Sequence, residues 1–300
     1  MQYWLITKDN VRIHYQVWGD DQAPAILLIM GLGMPSEAWP EEFIGGLVRQ
    51  GFRVITMDNR DSGQSSRIDI PVGPFGISLA ILKTLFGKTV QGPYSLEDMA
   101  ADAEAVLDAV HVKRAHVLGI SMGGMIAQVM ALNSPQRVSS LISVMSASGN
   151  PRTGLGKWSA IAALLKHPKS ETDLSSMAHY IHRQLKVIGA GFCDYEEQQI
   201  YQVAKAMVDN PPIFSATERQ LLAILVSGNR SESLKRIKVP TLVIHGKQDP
   251  LLPLKASEEL TRLIPNARLM VIDKMGHGLP RQHLPGIVAA VAKHCHRYKE

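Results

Sequence analysis

Short, uninterrupted apolar runs are the feature that most restricts the fold of this 300-residue chain. Runs of this kind suit strands that are buried on both faces of a parallel sheet. Segments with helical spacing of apolar residues separate them, and this alternation is typical of a mostly parallel sheet with helices on both faces. The predicted central strands are residues 25–30, 52–57, 115–119, 138–145, 241–245 and 268–272.

The segments around these runs complete the predicted α/β core. Residues 3–7 and 11–17 are rich in β-forming side chains, and the second segment alternates, so we predict an antiparallel pair before the parallel strands. Ser95 and the acidic Asp98 three residues later are typical of a helix start. The predicted helices are residues 36–50, 96–110, 122–133, 253–263 and 284–296.

Two segments interrupt this alternation. Residues 67–91 form a long insertion that contains the apolar stretch 77–86, and residues 148–237 have helical periodicity without a convincing strand. We predict that 148–237 is a helical cap and that residues 1–147 and 238–300 form the core. We interpret the apolar stretch as a packed helix or pocket wall, with a lid edge and a lipid-contacting patch as the alternatives.

Charge and hydropathy exclude several classes of protein. The 32 basic and 27 acidic residues give a net charge of +5, and the basic residues are scattered, so we expect no nucleic-acid partner. The start of the chain lacks a secretory signal, and no run reaches the roughly 18 apolar residues of a membrane-spanning helix. We therefore expect a cytoplasmic protein without stable membrane insertion. The oligomeric state stays open.

The strongest chemical motif is Gly-Ile-Ser-Met-Gly at residues 119–123, between a predicted strand and a predicted helix. A strand that turns at once into a helix holds its middle residue in a strained conformation, and side chains at the flanking positions would clash. Ser121 would therefore project from the sheet beside the N-terminus of a helix. That helix end would favour a developing negative charge.

With this motif the chain resembles members of the α/β-hydrolase superfamily, and the resemblance extends over nearly its full length. Residues 57–63, Met-Asp-Asn-Arg-Asp-Ser-Gly, are similar to a turn that follows an early strand in that family, except that Asp61 stands where glycine is usual. The resemblance implies an α/β-hydrolase fold with a helical cap. It also implies that Arg60 is a structural residue that ties loops together.

A serine nucleophile needs a base, and the resemblance implies His277, which lies just after the last predicted strand. His245 is the main competing histidine. For the orienting acid the resemblance implies Asp249, in a turn after the preceding strand, with Asp273 as the alternative. The loop 146–150, where some relatives carry the acid, contains no carboxylate.

Two backbone N–H groups are expected to form an oxyanion hole. One belongs to Met122, directly after the nucleophile, and the resemblance implies Leu32 for the other. Many relatives have His-Gly at this loop, whereas this chain has Met30-Gly31. Backbone donors do not depend on that side chain, so we expect the hole to form.

Apolar residues near these positions predict a hydrophobic substrate pocket. We assign Gly31, Met34 and Trp158 to it, and we interpret Met125 as a core residue.

No cofactor or metal is expected. The Gly-Leu-Gly at residues 31–33 lacks the third glycine of a dinucleotide site, and residues 154–157 lack the spacing of a phosphate-binding loop. The two cysteines, Cys193 and Cys295, are too far apart for a zinc-ligand pair.

Together these features predict a serine hydrolase that cleaves a small hydrophobic carboxylic ester through an acyl-enzyme. Met-Gly in the oxyanion loop and the Asn-Arg-Asp turn are similar to bacterial enzymes that include methyl-ester hydrolases of polyketides. The alternatives on the same three residues are a cofactor-free haloperoxidase or perhydrolase, an acyltransferase and a C–C bond hydrolase. A binding protein that keeps the hydrolase fold without catalysis is the alternative from a different class.

Overall fold

The computed structural model describes residues 2–73, 76–86, 88–192 and 195–298. Within these ranges the strands form one sheet in the order β1-β2-β4-β3-β5-β6-β7-β8. The strands are β1 Gln2–Ile6, β2 Arg12–Trp18, β3 Ala25–Ile29, β4 Arg53–Met57, β5 Ala115–Ile120, β6 Val138–Val144, β7 Thr241–Gly246 and β8 Arg268–Ile272. The mostly parallel sheet of the prediction is confirmed.

Helices separate the strands in the predicted order. The helices are α1 Glu41–Arg49, α2 Gly76–Leu85, α3 Leu96–Ala109, α4 Met122–Asn133, α5 Pro151–Gly154, α6 Trp158–Leu164, α7 Leu174–Ile188, α8 Glu197–Val208, α9 Phe214–Ser227, α10 Ser231–Leu234, α11 Leu254–Leu263 and α12 Leu284–Arg297. Six of them, α5 to α10, lie between β6 and β7. Cys193 and residues 74, 75 and 87 of the insertion lie outside the described residues.

The sheet is antiparallel only at the edge formed by β1 and β2. β1 pairs with β2 and β2 with β4 in opposite directions, whereas β4, β3, β5, β6, β7 and β8 run parallel. Because β3 lies between β4 and β5, all five of its residues are buried. The carboxyl ends of the parallel strands therefore meet at one edge of the sheet, where ligand sites of open α/β sheets lie.

Helices cover both faces of the sheet. Leu27 and Ile29 of β3 belong to the core formed with α3 and α4, whereas Ile26 and Leu28 belong to the core formed with α1 and α12. This alternation follows from the two-residue period of a strand. Each fully buried side chain of this size stabilises the fold by about 1.5–3 kcal/mol.

One predicted helix differs from the structure at its start. Residues 36–50 contain a short 3-10 turn, Ser36–Ala38, and α1 begins only after Pro40. Proline has no N–H to donate and disfavours the helical conformation of the residue before it. The helix therefore starts at the proline rather than running through it.

The turn after β4 is held by two buried ion pairs. Arg60 donates through Nε and Nη2 to the two carboxylate oxygens of Asp102 on α3, both at 2.7 Å. Asp61 accepts from Arg219 of α9 through Nε at 2.9 Å and Nη2 at 2.7 Å, and from the hydroxyl of Tyr94 at 2.7 Å. Burial and the nearby Asp61 raise the pKa of Tyr94, so its phenol stays a donor.

The Asp61 interaction explains how an aspartate can occupy the position where the resemblance implies glycine. Its φ is +67°, in the left-handed region that favours glycine. The carboxylate offsets this strain because it is fully buried against a guanidinium that is itself only 4% exposed. The pair joins the turn after β4 to α9.

We predict that Asp61→Gly lowers the free energy of unfolding by about 3–5 kcal/mol, although glycine relieves the backbone strain. The loss arises because Arg219 is left buried without its partner. Chemical denaturation measures the change. Asp108→Ala, which removes an exposed partner of Arg137, is the control and should cost less than about 1 kcal/mol. Equal midpoints for Asp61→Gly and the wild type would contradict the prediction.

Candidate active site

Ser121 occupies a sharp turn between β5 and α4. Its φ is +54° and its ψ is −118°, a conformation that is strained for a residue with a side chain. The backbone is crowded on both sides of it. A Cβ at Gly119 would lie 2.1 Å from the carbonyl oxygen of Gly123, and a Cβ at Gly123 would lie 2.1 Å from the carbonyl oxygen of Ile29. These contacts explain both motif glycines.

His277 and Asp249 meet at the carboxyl edge of the sheet. The Nδ1 atom of His277 lies 2.6 Å from Oδ2 of Asp249, and both residues are 7% exposed. The other oxygen, Oδ1, accepts the backbone N–H groups of Leu251 at 2.8 Å and Leu252 at 2.9 Å. The carboxylate is therefore fixed on one side by the chain and directed on the other towards the imidazole.

The competing residues of the sequence analysis lie elsewhere. His245 is fully buried, with Nδ1 2.7 Å from the hydroxyl of Ser257 and Nε2 2.8 Å from the carbonyl oxygen of Leu252. Burial lowers the pKa of His245, which favours its neutral form. Asp273 is exposed and accepts from Gln248 at 3.0 Å. Neither candidate lines the cavity beside Ser121.

Of the two predicted oxyanion donors, Met122 directly follows Ser121 and Leu32 lines the cavity that adjoins it. Met122 is the first residue of α4, where backbone N–H groups lack partners within the helix. Leu32 lines the same cavity as Ser121, next to Gly31. A Cβ at Gly31 would lie 3.3 Å from the Cβ of Ser121, so the loop after β3 approaches the serine closely.

Sequence reasoning missed the residue that holds this loop. The side chain of Gln220, fully buried on α9, accepts the backbone N–H of Gly33 at 2.7 Å and donates to the carbonyl oxygen of Arg60 at 2.7 Å. Asn59 donates to the carbonyl oxygen of Met30 at 2.9 Å and holds the other side of the loop. A glutamine within a helix gives no local signal of such a contact.

A cavity of about 440 Å³ adjoins Ser121 and His277. It contains the predicted pocket residues Gly31, Met34 and Trp158. Met125 also lines it, so its interpretation as core alone was incomplete.

Helices α7, α8 and α9 supply a large part of the wall, which the sequence did not assign to the pocket. Their apolar contributions are Ile181, Leu185, Ile188, Ile200, Val203, Leu221, Ile224 and Leu225. A larger open groove of about 1110 Å³ lies beside β1, β2 and α8 and contains neither Ser121 nor His277.

Two further properties concern metals and membranes. The described residues include no group of three or more His, Cys, Asp and Glu side chains placed to hold a metal ion. Burial raises the pKa of the Cys295 thiol to about 12, which keeps it protonated. None of the helices within the described ranges combines the length and apolar character needed to cross a bilayer.

Comparison with known proteins identifies the family. The model of the alpha/beta hydrolase fold family matches residues 24–280. A rhodomycin D methylesterase from Streptomyces peucetius is 28% identical, with 97% of each chain covered. A putative carbamate hydrolase from Variovorax paradoxus (strain S110) is 27% identical over 88% of this chain and 89% of the relative.

A solved structure gives the same fold. The meta-cleavage product hydrolase from Pseudomonas fluorescens IP01 superposes with a TM-score of 0.76 at 19% sequence identity, covering 99% of this chain and 98% of that protein. The family match spans most of the sequence and agrees with the observed sheet. The chain therefore belongs to the α/β-hydrolase family of enzymes.

Proposed function

We propose that the protein is a serine hydrolase that cleaves a carboxylic ester through an acyl-enzyme. Ser121 is the nucleophile, His277 the general base and Asp249 the acid that orients the base. One observation carries the proposal. Ser121 and His277 line the same apolar cavity, and Asp249 lies 2.6 Å from Nδ1 of His277.

The hydrogen bond to Asp249 determines which nitrogen of His277 acts. An ionised carboxylate can only accept, so Nδ1 carries the proton and Nε2 keeps a lone pair. As Oγ of Ser121 forms a bond to the acyl carbon, its proton passes to Nε2. The resulting imidazolium is stabilised by the carboxylate.

The carbonyl oxygen gains the electron pair of the broken π bond. Backbone N–H groups of Leu32 and Met122 would stabilise this oxyanion, and losing one such donor typically costs about 3 kcal/mol of transition-state stabilisation. The tetrahedral intermediate collapses when the ester C–O bond breaks and His277 gives its proton to the leaving alcohol. Water, activated by the same imidazole, then hydrolyses the acyl-enzyme and restores Ser121.

The second histidine supports this assignment of the acid. His245 lies 3.5 Å from Asp249 and is bonded to the carbonyl oxygen of Leu252, whose N–H group binds the carboxylate. A neutral His245 therefore holds the loop that carries Asp249 and does not compete with His277 for the role of base. Because both ring nitrogens of His245 are engaged, it is poorly placed to take a proton from Ser121.

The cavity and the relatives support a hydrophobic ester as substrate. A volume of about 440 Å³ accommodates a large apolar group and exceeds what a simple alkyl ester needs. The methylesterase relative supports a small leaving alcohol. We therefore propose a substrate with a bulky apolar acyl part and a small alcohol.

Replacing Ser121 by alanine is expected to reduce kcat on a p-nitrophenyl ester by about 10⁴-fold or more, because the nucleophile is removed. Labelling by a fluorophosphonate probe should be lost as well. Ser159→Ala, at an exposed position of α6, is the matched control and should keep wild-type turnover and labelling. Ester turnover that survives Ser121→Ala would refute the proposal.

The two candidate acids give a second test. Asp249→Asn should lower kcat by about 10⁴-fold, because an amide favours the wrong tautomer of His277. Asp273→Asn should leave kcat within about twofold of the wild type, since Asp273 is exposed and lies away from the cavity. Steady-state kinetics on the same ester compares them. The opposite ranking of the two variants would assign the acid to Asp273.

A further inference from the structure

Helix α2 of the insertion presents an apolar face to solvent. Leu79, Leu82 and Phe86 are 51%, 50% and 72% exposed. Phe86 directly follows α2, its N–H donates to the carbonyl oxygen of Leu82, and the spacing places all three on one side. The inward side is anchored, because buried Ala80 packs with Leu222 of α9. The helix therefore packs as predicted, but it also leaves a large apolar surface uncovered.

A second group of exposed apolar side chains lies on and beside α6. Trp158 of α6 is 80% exposed, and Leu155 and Leu165 are each 49% exposed. All three line the cavity beside Ser121, as does Ile81 of α2. We call Leu79, Leu82, Phe86, Leu155, Trp158 and Leu165 together the apolar rim. Leu155, Trp158 and Leu165 line the cavity, whereas Leu79, Leu82 and Phe86 lie on the outward side of α2, away from Ile81. Clusters of large exposed apolar side chains of this kind are typical of interaction sites.

The segments that carry the apolar rim are basic. Residues 70–96 and 148–170 contain no Asp or Glu, although the whole chain has 27 acidic residues. Within these two segments Lys88, Lys157, Lys166 and Lys169 are exposed, as is an arginine. Exposed apolar side chains combined with lysines are typical of proteins that bind at a lipid–water interface.

Acidic residues lie at the ends of these two segments. Asp69, Glu97 and Asp173 are exposed, and Glu97 accepts from the hydroxyl of Ser227 at 2.8 Å. Glu171 accepts the backbone N–H groups of Ile213 and Phe214 at 2.9 and 3.1 Å. Among the described residues that line the cavity, Glu218 is the only one with a carboxylate, and it is half-buried. The five exposed basic residues of the two segments outnumber the three exposed carboxylates at their ends.

We infer that the apolar rim docks the enzyme on the surface of a lipid bilayer that contains anionic headgroups. The apolar side chains would enter the acyl boundary while the lysines bind phosphates. Docking in this way is peripheral and needs no membrane-spanning helix. A second copy of the chain fits less well, because a two-fold interface would bring the same lysines face to face.

This inference rests on the proposed function only for its benefit to catalysis. Leu155, Trp158 and Leu165 of the rim line the cavity, so a docked enzyme could receive an apolar ester directly from the bilayer. Docking itself does not depend on catalysis and can be measured with the inactive Ser121→Ala protein.

Vesicle flotation provides the test. The full-length protein should float with vesicles of phosphatidylcholine and phosphatidylglycerol at low ionic strength, and far less with phosphatidylcholine alone. The variant L79Q/L82Q/F86Q should bind the mixed vesicles about tenfold or more weakly, since glutamine keeps the helix propensity but removes the apolar surface. Its turnover of a short, water-soluble ester should stay at the wild-type rate.

A matched control removes exposed apolar side chains elsewhere. Ile6 and Val271, 69% and 42% exposed, lie on the two edge strands β1 and β8. The variant I6T/V271T keeps β-branched residues and should float like the wild type. Unchanged thermal unfolding of both variants confirms that neither result reflects misfolding.

Two charge-reversal variants test whether vesicle binding depends on the position of the lysines or only on the net charge of the protein. The variant K157E/K166E/K169E should bind the mixed vesicles about tenfold or more weakly. The variant K113E/K238E/K293E makes the same change in net charge and should bind like the wild type. Lys113 and Lys238 are exposed and lie just before β5 and β7, at the sheet edge opposite Ser121.

Three results would overturn the inference. The first is wild-type protein that stays unbound to the mixed vesicles. The second is flotation that the rim variants do not reduce relative to their controls. The third is a wild-type dimer that L79Q/L82Q/F86Q converts to a monomer while vesicles bind neither form, which would make the rim an interface between copies. Flotation of Ser121→Ala separates these results from a failure of the esterase proposal.

Discussion

The close approach of α4 to the strands below it is the constraint on which the site depends. Backbone atoms at Gly119 and Gly123 come so near one another and Ile29 that a single Cβ at either glycine would collide with main chain. This contact lets α4 begin at the residue after Ser121. The strained serine therefore stands at the carboxyl edge of the sheet, beside the positive end of a helix dipole.

The spacing of the sheet determines how the three proposed catalytic residues reach one another. Ser121 follows β5 and Asp249 follows β7, two strands away, which corresponds to about 10 Å. Asp249 and Ser121 are too far apart at that separation for a direct hydrogen bond, so the proposed mechanism needs an imidazole ring between them. His277 comes from the loop after β8, and its backbone N–H binds the carbonyl oxygen of Ile188 at 2.8 Å. The loop is thereby tied to α7, on the cavity wall.

Local sequence signals predicted the parts of this arrangement that depend on neighbouring residues. Apolar runs gave the strands, and Ser95 with Asp98 forms the reciprocal capping box expected from their spacing. The glycines around Ser121 predicted the turn because their effect is steric and local. The start of α1 was missed because helical periodicity was given more weight than Pro40, although proline's effect is equally local.

Contacts between distant segments gave no such signal. The partner of Asp61 lies 158 residues away, and Gln220 is separated from Arg60 by 160 residues. In the sequence, Arg219 and Gln220 are ordinary polar residues of a helix. Only the packing of α9 against the turn after β4 shows that both are buried. The pocket walls from α7, α8 and α9 were missed for the same reason, since periodicity cannot tell a side chain that lines a cavity from one that fills a core.

Helix α9 joins three properties that the sequence treated separately. Arg219 binds Asp61, whose backbone is in the left-handed region. Gln220 holds the loop of the proposed oxyanion hole through Gly33. The next turn contributes Leu221 and Ile224 to the cavity wall. Both polar contacts are buried, and breaking either one would leave a polar or charged group without a partner. Moving α9 therefore costs more free energy than it would if apolar packing alone held the helix. A substitution that moves α9 and reshapes the cavity would therefore also move the loop of the proposed oxyanion hole. In the proposed mechanism, one helix would thus link substrate fit to transition-state stabilisation, and Asp61 is part of what holds that helix in place.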